Sequence, residues 1–91
     1  MAITWTGDRV IKMTAVSDAI TIRLAVRKIV WTGFTATSDS LILYNNDGDT
    51  IYDITAGKTS GFISDNFFDG FWVNGITVHA LTAGRIYIYL K

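Results

Sequence analysis

Two aspartates stand four residues apart in Ser64-Asp65-Asn66-Phe67-Phe68-Asp69-Gly70, a type and spacing from which an acid–base pair can be built. Carboxylate pairs that hydrolyse sugars sit roughly 5–10 Å apart across a cleft that holds the substrate. Phe67 and Phe68 supply no such platform, and the stretch reads as a loop pinned by aromatic burial. His79, the one histidine, lies in Ile76-Thr77-Val78-His79-Ala80. At a two-residue period it shares a face with Thr77 and Leu81, opposite Ile76, Val78 and Ala80. One imidazole without cysteine or a second histidine makes no typical zinc site. No serine stands in a nucleophile-elbow context either, so His79 is read as facing solvent or an interface. Asn45-Asn46-Asp47-Gly48-Asp49 gathers oxygen ligands around a glycine, as calcium loops do. The helical calcium loop also needs a bidentate glutamate, and the chain has none. A tight hairpin uses the same residues for backbone reasons, so a plain turn is expected here. No catalytic, metal or cofactor residue is assigned, and the chain is expected not to be an enzyme.

The composition sets what must hold these residues. At 91 residues the chain is read as one domain, residues 1–91, with a thin stability margin. It has no cysteine, so thiolate metal sites, redox dithiols and disulfide staples are excluded. Oligomerisation is the remaining common way to add buried area. The hydrophobic fraction is 49% and the charged fraction 18%, which places some apolar surface against another molecule. Eight Lys+Arg balance eight acidic groups. Nucleic-acid binders normally carry a basic excess, so no nucleic-acid partner is expected. The N-terminus MAITWTGDRV lacks the pattern of a signal peptide. No apolar run approaches the roughly 20 residues that cross a bilayer, so no membrane partner is expected. Every acidic residue is Asp, and Glu, Gln and Pro are absent, a bias towards strands joined by tight turns.

Alternation and turn residues then predict strands over 3–6, 9–16, 19–33, 41–44, 50–54, 62–68, 71–81 and 85–90. In 19–33 the apolar phase set by Ile20, Ile22, Leu24 and Val26 reverses before Ile29 and Trp31. A bulge at Arg27-Lys28 would return both sets to one core and let the strand pass between facing sheets. The last two strands are expected to form a hairpin across Thr82-Ala83-Gly84. No helical periodicity and no internal repeat is apparent. The fold class is all-β: a compact, jelly-roll-like β-sandwich or small barrel of about 7–8 antiparallel strands.

The closing RIYIYLK puts Ile86, Ile88 and Leu90 on one face and Arg85, Tyr87, Tyr89 and Lys91 on the other. Phe71-Trp72-Val73 is likewise bulky in both phases. Two readings stand for Tyr87 and Tyr89. They are cross-strand partners on a wet face, or with Arg85 and Phe71 or Trp72 they form a contact surface.

The segments RKIVWTG (27–33), LILYNNDGDTIYD (41–53) and GFWVNGITVHALTAGRIYIYLK (70–91) resemble small all-β proteins encoded among the structural genes of tailed bacteriophages. The resemblance covers roughly residues 20–91. It implies a non-enzymatic virion component made in the host cytoplasm: a capsid decoration (cement) protein, or a small tail or fibre-base part. The partners it implies are the major capsid protein or another virion protein, and further copies of itself, such as a trimer. The other reading is a carbohydrate-binding module, with Trp72-Val73-Asn74 and the Asn45–Asp49 turn supplying a ring to stack on sugars and side chains to bind their hydroxyls.

Overall fold

The computed structural model describes residues 3–5 and 9–91, and their side chains except at 3–5, 68 and 69. Its strands are β1 (Ile3–Trp5), β2 (Val10–Met13), β3 (Ala19–Thr32), β4 (Ser40–Tyr44), β5 (Thr50–Thr55), β6 (Phe62–Leu81) and β7 (Arg85–Leu90). They form one seven-stranded sheet in the order β1-β2-β7-β3-β6-β4-β5, and every neighbouring pair is antiparallel. No helix occurs among the described residues, and so none is long and apolar enough to cross a membrane. The expected all-β class and strand number hold.

The long strands β3 and β6 turn this single sheet into two wings. Lys28–Thr32 of β3 lies between β7 and residues 62–66 of β6, whereas residues 19–26 pair with 71–77 of β6. Beyond that, β6 pairs with β4 through Thr77–Leu81. One wing contributes Ile11, Met13, Ile29, Trp31, Ile86 and Ile88 to the core, and the other contributes Leu24, Val26, Leu41, Leu43, Ile76 and Val78. Strands bent between two wings that share one core make a small sandwich or barrel.

The bend lies where the phase reversal predicts it. Register shifts between Val26 and Lys28 against both β6 and β7, so Leu24, Val26, Ile29 and Trp31 are all buried while Arg27 points out. A second shift, between Ile20 and Arg23, breaks the expected phase and leaves Ile22 58% exposed. Opposite Arg27, β6 inserts residues 67–70 between Asn66 and Phe71. Gly70 takes a φ of 76° there, which glycine adopts without a Cβ penalty. The two strands expected over 62–68 and 71–81 are therefore one strand of 20 residues.

Two other expectations change. The second strand stops at Met13 because Thr14–Asp18 turns: the Asp18 carboxylate accepts from the Thr14 and Ala15 N–H groups, both at 3.0 Å. Thr35–Asp39 builds the same turn, Asp39 accepting from Thr35 N at 2.8 Å and Ala36 N at 2.9 Å. The two share the pattern Thr-Ala-x-Ser-Asp, a short repeat that the hydrophobic alternation hides. Nor do β6 and β7 form a hairpin. Thr82-Ala83-Gly84 crosses from the β4 side, where Ser40 N donates to Thr82 Oγ1 at 2.9 Å, and β7 pairs with β2 and β3. The buried Trp31 indole N–H donates to Ala83 O at 3.0 Å and holds this crossing in place.

Candidate functional site

Ile86 and Ile88 face the core, so strand alternation turns Arg85, Tyr87 and Tyr89 outward from β7. Because β7 lies inside the sheet, both tyrosines have neighbours on each side. Tyr87 is opposite Lys12 of β2 and Val30 of β3; Tyr89 is opposite Val10 and Lys28. The Lys12 ammonium lies 6.0 Å from the Tyr87 ring centre and the Lys28 ammonium 5.2 Å from that of Tyr89, both within cation–π reach. Arg85 Nε donates to the Tyr87 hydroxyl at 3.2 Å. The rings are half-buried, flanked rather than covered. Phe62 of β6, 61% exposed and opposite Thr32, extends the same outward side.

Phe71 and Trp72 take opposite sides. Phe71 pairs with Val26, packs against the core and meets Phe67 edge-on at 4.5 Å between ring centres. Trp72 is 64% exposed, with the Arg23 guanidinium 5.0 Å from its ring centre. Without the expected hairpin, Trp72 lies across β3 from β7, opposite Ala25. Between the two surfaces the β3–β6 irregularity opens a groove of about 280 Å³, lined by Arg27, Lys28, Asn66 and Phe67. Alternation within one strand picks out Tyr87 and Tyr89. The groove and the seating of Lys12 and Lys28 over the two rings depend on register between distant strands, and no local signal marks them.

The Asn45–Asp49 segment is built as a turn. Asn45 Oδ1 accepts from the backbone N–H of Asp47 and of Asp49, each at 3.0 Å, which commits that oxygen to the backbone. The tip docks on its own sheet. Asn46 N donates to Asn74 O at 2.8 Å, and Asn46 Nδ2 donates to Thr21 O at 2.9 Å. The turn is thus brought beside Asn74 and the strand that carries Trp72. His79 is exposed and stacks on Tyr44, with ring centres 4.0 Å apart and planes at 11°.

Asp65 turns inward opposite the buried Ile29 and accepts a hydrogen bond from the Tyr52 hydroxyl. This contact ties the edge strand β5 to the first half of β6. The Asp69 side chain lies outside the described residues. Burial, and then the Asp65 carboxylate, push the Tyr52 phenol above its ordinary value of 10.0. For a raised pKa the stabilisation is complete below the unfolded value and is lost as pH rises towards the folded one. Wild type is therefore expected to lose stability progressively above about pH 10. Tyr52→Phe is expected to be about 1 kcal/mol less stable at neutral pH, the bond being partly exposed. It should also show a shallower alkaline decline, read from urea midpoints across pH. Equal alkaline slopes would contradict the Tyr52–Asp65 tie.

Chemically the outward side of β2, β7 and β3 offers aromatic faces, aliphatic area and ammonium and guanidinium donors, the equipment of recognition. Among the described residues no three of His, Asp, Glu or Cys cluster as a metal site would require. Compared with protein-family models, with curated proteins and with solved structures, the chain matches none.

Proposed function

We propose that the chain is a non-enzymatic structural protein of a tailed-phage particle, a capsid decoration protein that binds the shell through the Tyr87–Tyr89 face. The observation that carries a binding role is this face itself. A sheet surface turned to water normally presents a polar row, whereas this one presents two tyrosines, Val10, Val30 and Phe62 between cations. The resemblance of residues 20–91 to phage structural proteins supports the shell as partner. Weak contacts repeated over a symmetric shell add through effective concentration, so a modest face suffices.

Co-sedimentation with shells of the phage whose structural genes include this chain tests the reading. Tyr87→Ala/Tyr89→Ala is expected to keep the wild-type circular dichroism spectrum and bind roughly 30-fold more weakly, as loss of a central aromatic anchor does. A folded double variant that binds as wild type would overturn it.

A second reading, a carbohydrate-binding module, is favoured by the docking of the Asn45–Asp49 turn against Asn74, next to the strand position of exposed Trp72. Glycan-array binding that disappears in Trp72→Ala, with no affinity for shells, would decide for it.

A further inference from the structure

The formal charge is zero, but the charges are sorted. Residues 33–57, which hold β4, β5 and their flanking turns, contain Asp39, Asp47, Asp49 and Asp53 and no Lys or Arg. Residues 9–32 and 85–91 hold seven of the eight cations and a single acid, Asp18. Asp18 has 0% exposure and adds nothing to the outer surface. The fold carries part of this division into space; Arg23, opposite Asn74 and over Trp72, stays on the wing where the β4–β5 turn docks. Lys12, Lys28 and Arg85 stand among the outward tyrosines of one wing. Asp53, opposite Ile42, faces outward on the other wing, and Asp47 and Asp49 are exposed at its hairpin tip. Both surfaces point away from the one core, from opposite wings of the sheet.

The acidic side ends in the Asn45–Asp49 turn, which is docked on its own sheet through Asn46 and leaves Asp47 and Asp49 exposed. The basic side contains a recess, the groove lined by Arg27, Lys28, Asn66 and Phe67. The turn is already ordered, since Asn45 Oδ1 holds the Asp47 and Asp49 amides and Asn46 is fastened to Thr21. Binding through it costs little further ordering. Zero net charge removes the long-range repulsion that keeps like molecules apart.

We propose that copies of this chain associate head to tail, the acidic β4–β5 hairpin of one seated on the cationic tyrosine face of the next, its Asp47–Asp49 tip directed at the Arg27–Lys28 groove. The inference rests on the reading of the Tyr87–Tyr89 face as a contact surface. The hairpin of a second copy and the shell compete for that face, so only the copy at the open end of a head-to-tail assembly presents it to the shell. The occupant is a second copy because one molecule carries both halves of the complementary pair. Two different patches meeting in this way make a heterologous contact, which closes into a ring or extends as a chain.

Sedimentation velocity over a concentration series, in low and in high salt, reads the contact. Wild type is expected to self-associate in low salt and to lose about tenfold or more in affinity in high salt, because exposed charge pairs are screened. Asp47→Lys/Asp49→Lys alone, and Lys12→Glu/Lys28→Glu alone, should each lose a comparable factor. An equimolar mixture of the two should regain association, since each tip then meets a face of opposite sign. Asp53→Lys and Arg85→Glu form a replacement pair should either double variant melt early. Wild type that stays monomeric throughout, a reversal without effect, or a mixture that fails to recover would each overturn the proposal. A monomeric wild type that still binds shells sinks the head-to-tail contact and leaves the shell reading standing. Self-association without shell binding does the reverse.

Discussion

Gly84→Ala is expected to lower the unfolding free energy by about 3 kcal/mol or more, with Gly48→Ala as its control. Both glycines have left-handed backbones, with φ of 83° and 82°. A side chain there costs about 1 kcal/mol or somewhat more in strain. The difference lies in what a Cβ would meet. At Gly84 it would stand 2.1 Å from the Thr32 carbonyl oxygen and 2.9 Å from the Gly33 carbonyl carbon, whereas at Gly48 nothing lies within 4 Å. The obstacle is backbone, which no rotamer change relieves, and overpacking of this kind adds about 1–3 kcal/mol. Gly84 sits in the crossing that delivers β7 to β3, so the penalty falls on the strand that carries Tyr87 and Tyr89. Small domains have only about 5–15 kcal/mol in hand, so the variant is expected to unfold at a much lower denaturant concentration or not to accumulate. Equal urea midpoints for the two variants would refute this account of the Gly33–Gly84 approach.

Asp18→Ala is expected to cost about 2–4 kcal/mol, because it leaves the Thr14 and Ala15 amides without their buried acceptor. The carboxylate has 0% exposure and caps Thr14 N and Ala15 N at 3.0 Å. The loop it organises also extends the edge of β6, with Ser17 N donating to Val78 O at 2.8 Å and Val78 N to Asp18 O at 2.9 Å. Asp39→Ala, in the matching turn, is the comparison. Its carboxylate makes the same contacts and accepts from Thr82 Oγ1 at 2.9 Å, but at the surface, where water takes over what is lost. The Thr35 and Ala36 amides, with the Thr82 hydroxyl, hold the Asp39 carboxyl below its ordinary 3.8. A lowered pKa stabilises above the unfolded value, so the Asp39 contribution is complete at neutral pH and fades as pH falls through the lowered value. Thermal melts at neutral pH should therefore rank wild type above Asp39→Ala, and Asp39→Ala well above Asp18→Ala. Similar losses at both sites would mean that burial does not govern these turns.

The sorting of charge bears on how a face like this one behaves. Lys12 and Lys28 lie over tyrosine rings. A cation over a ring keeps its charge available to an incoming carboxylate, while its stem shields the aromatic from water. The face thus combines apolar area with an uncommitted field, which steers a partner before the rings make contact.

By itself the sequence determined whatever depends on neighbours a few residues apart. The phase reversal across Arg27-Lys28 predicts the bulge because a side chain's facing is set by counting along one strand. The same counting turns Ile86 and Ile88 inward and Tyr87 and Tyr89 outward, and the Asn45–Asp49 turn follows from local backbone preference. Tertiary structure decided which strands pair. A short Thr-Ala-Gly connection between two apolar runs reads as a hairpin. Yet Gly84 packs on Thr32 and the Trp31 indole binds Ala83, so β7 is carried to β3 and β2 instead. That choice is made by burial of Ile86 and Ile88 beside Ile11, Met13 and Ile29, residues more than 50 positions away. Long-range packing of this kind leaves no periodic trace. It also set Lys12 and Lys28 over the two rings, on the wing opposite the one that carries Asp47, Asp49 and Asp53, because register between distant strands, and not spacing along one, determines which side chains meet.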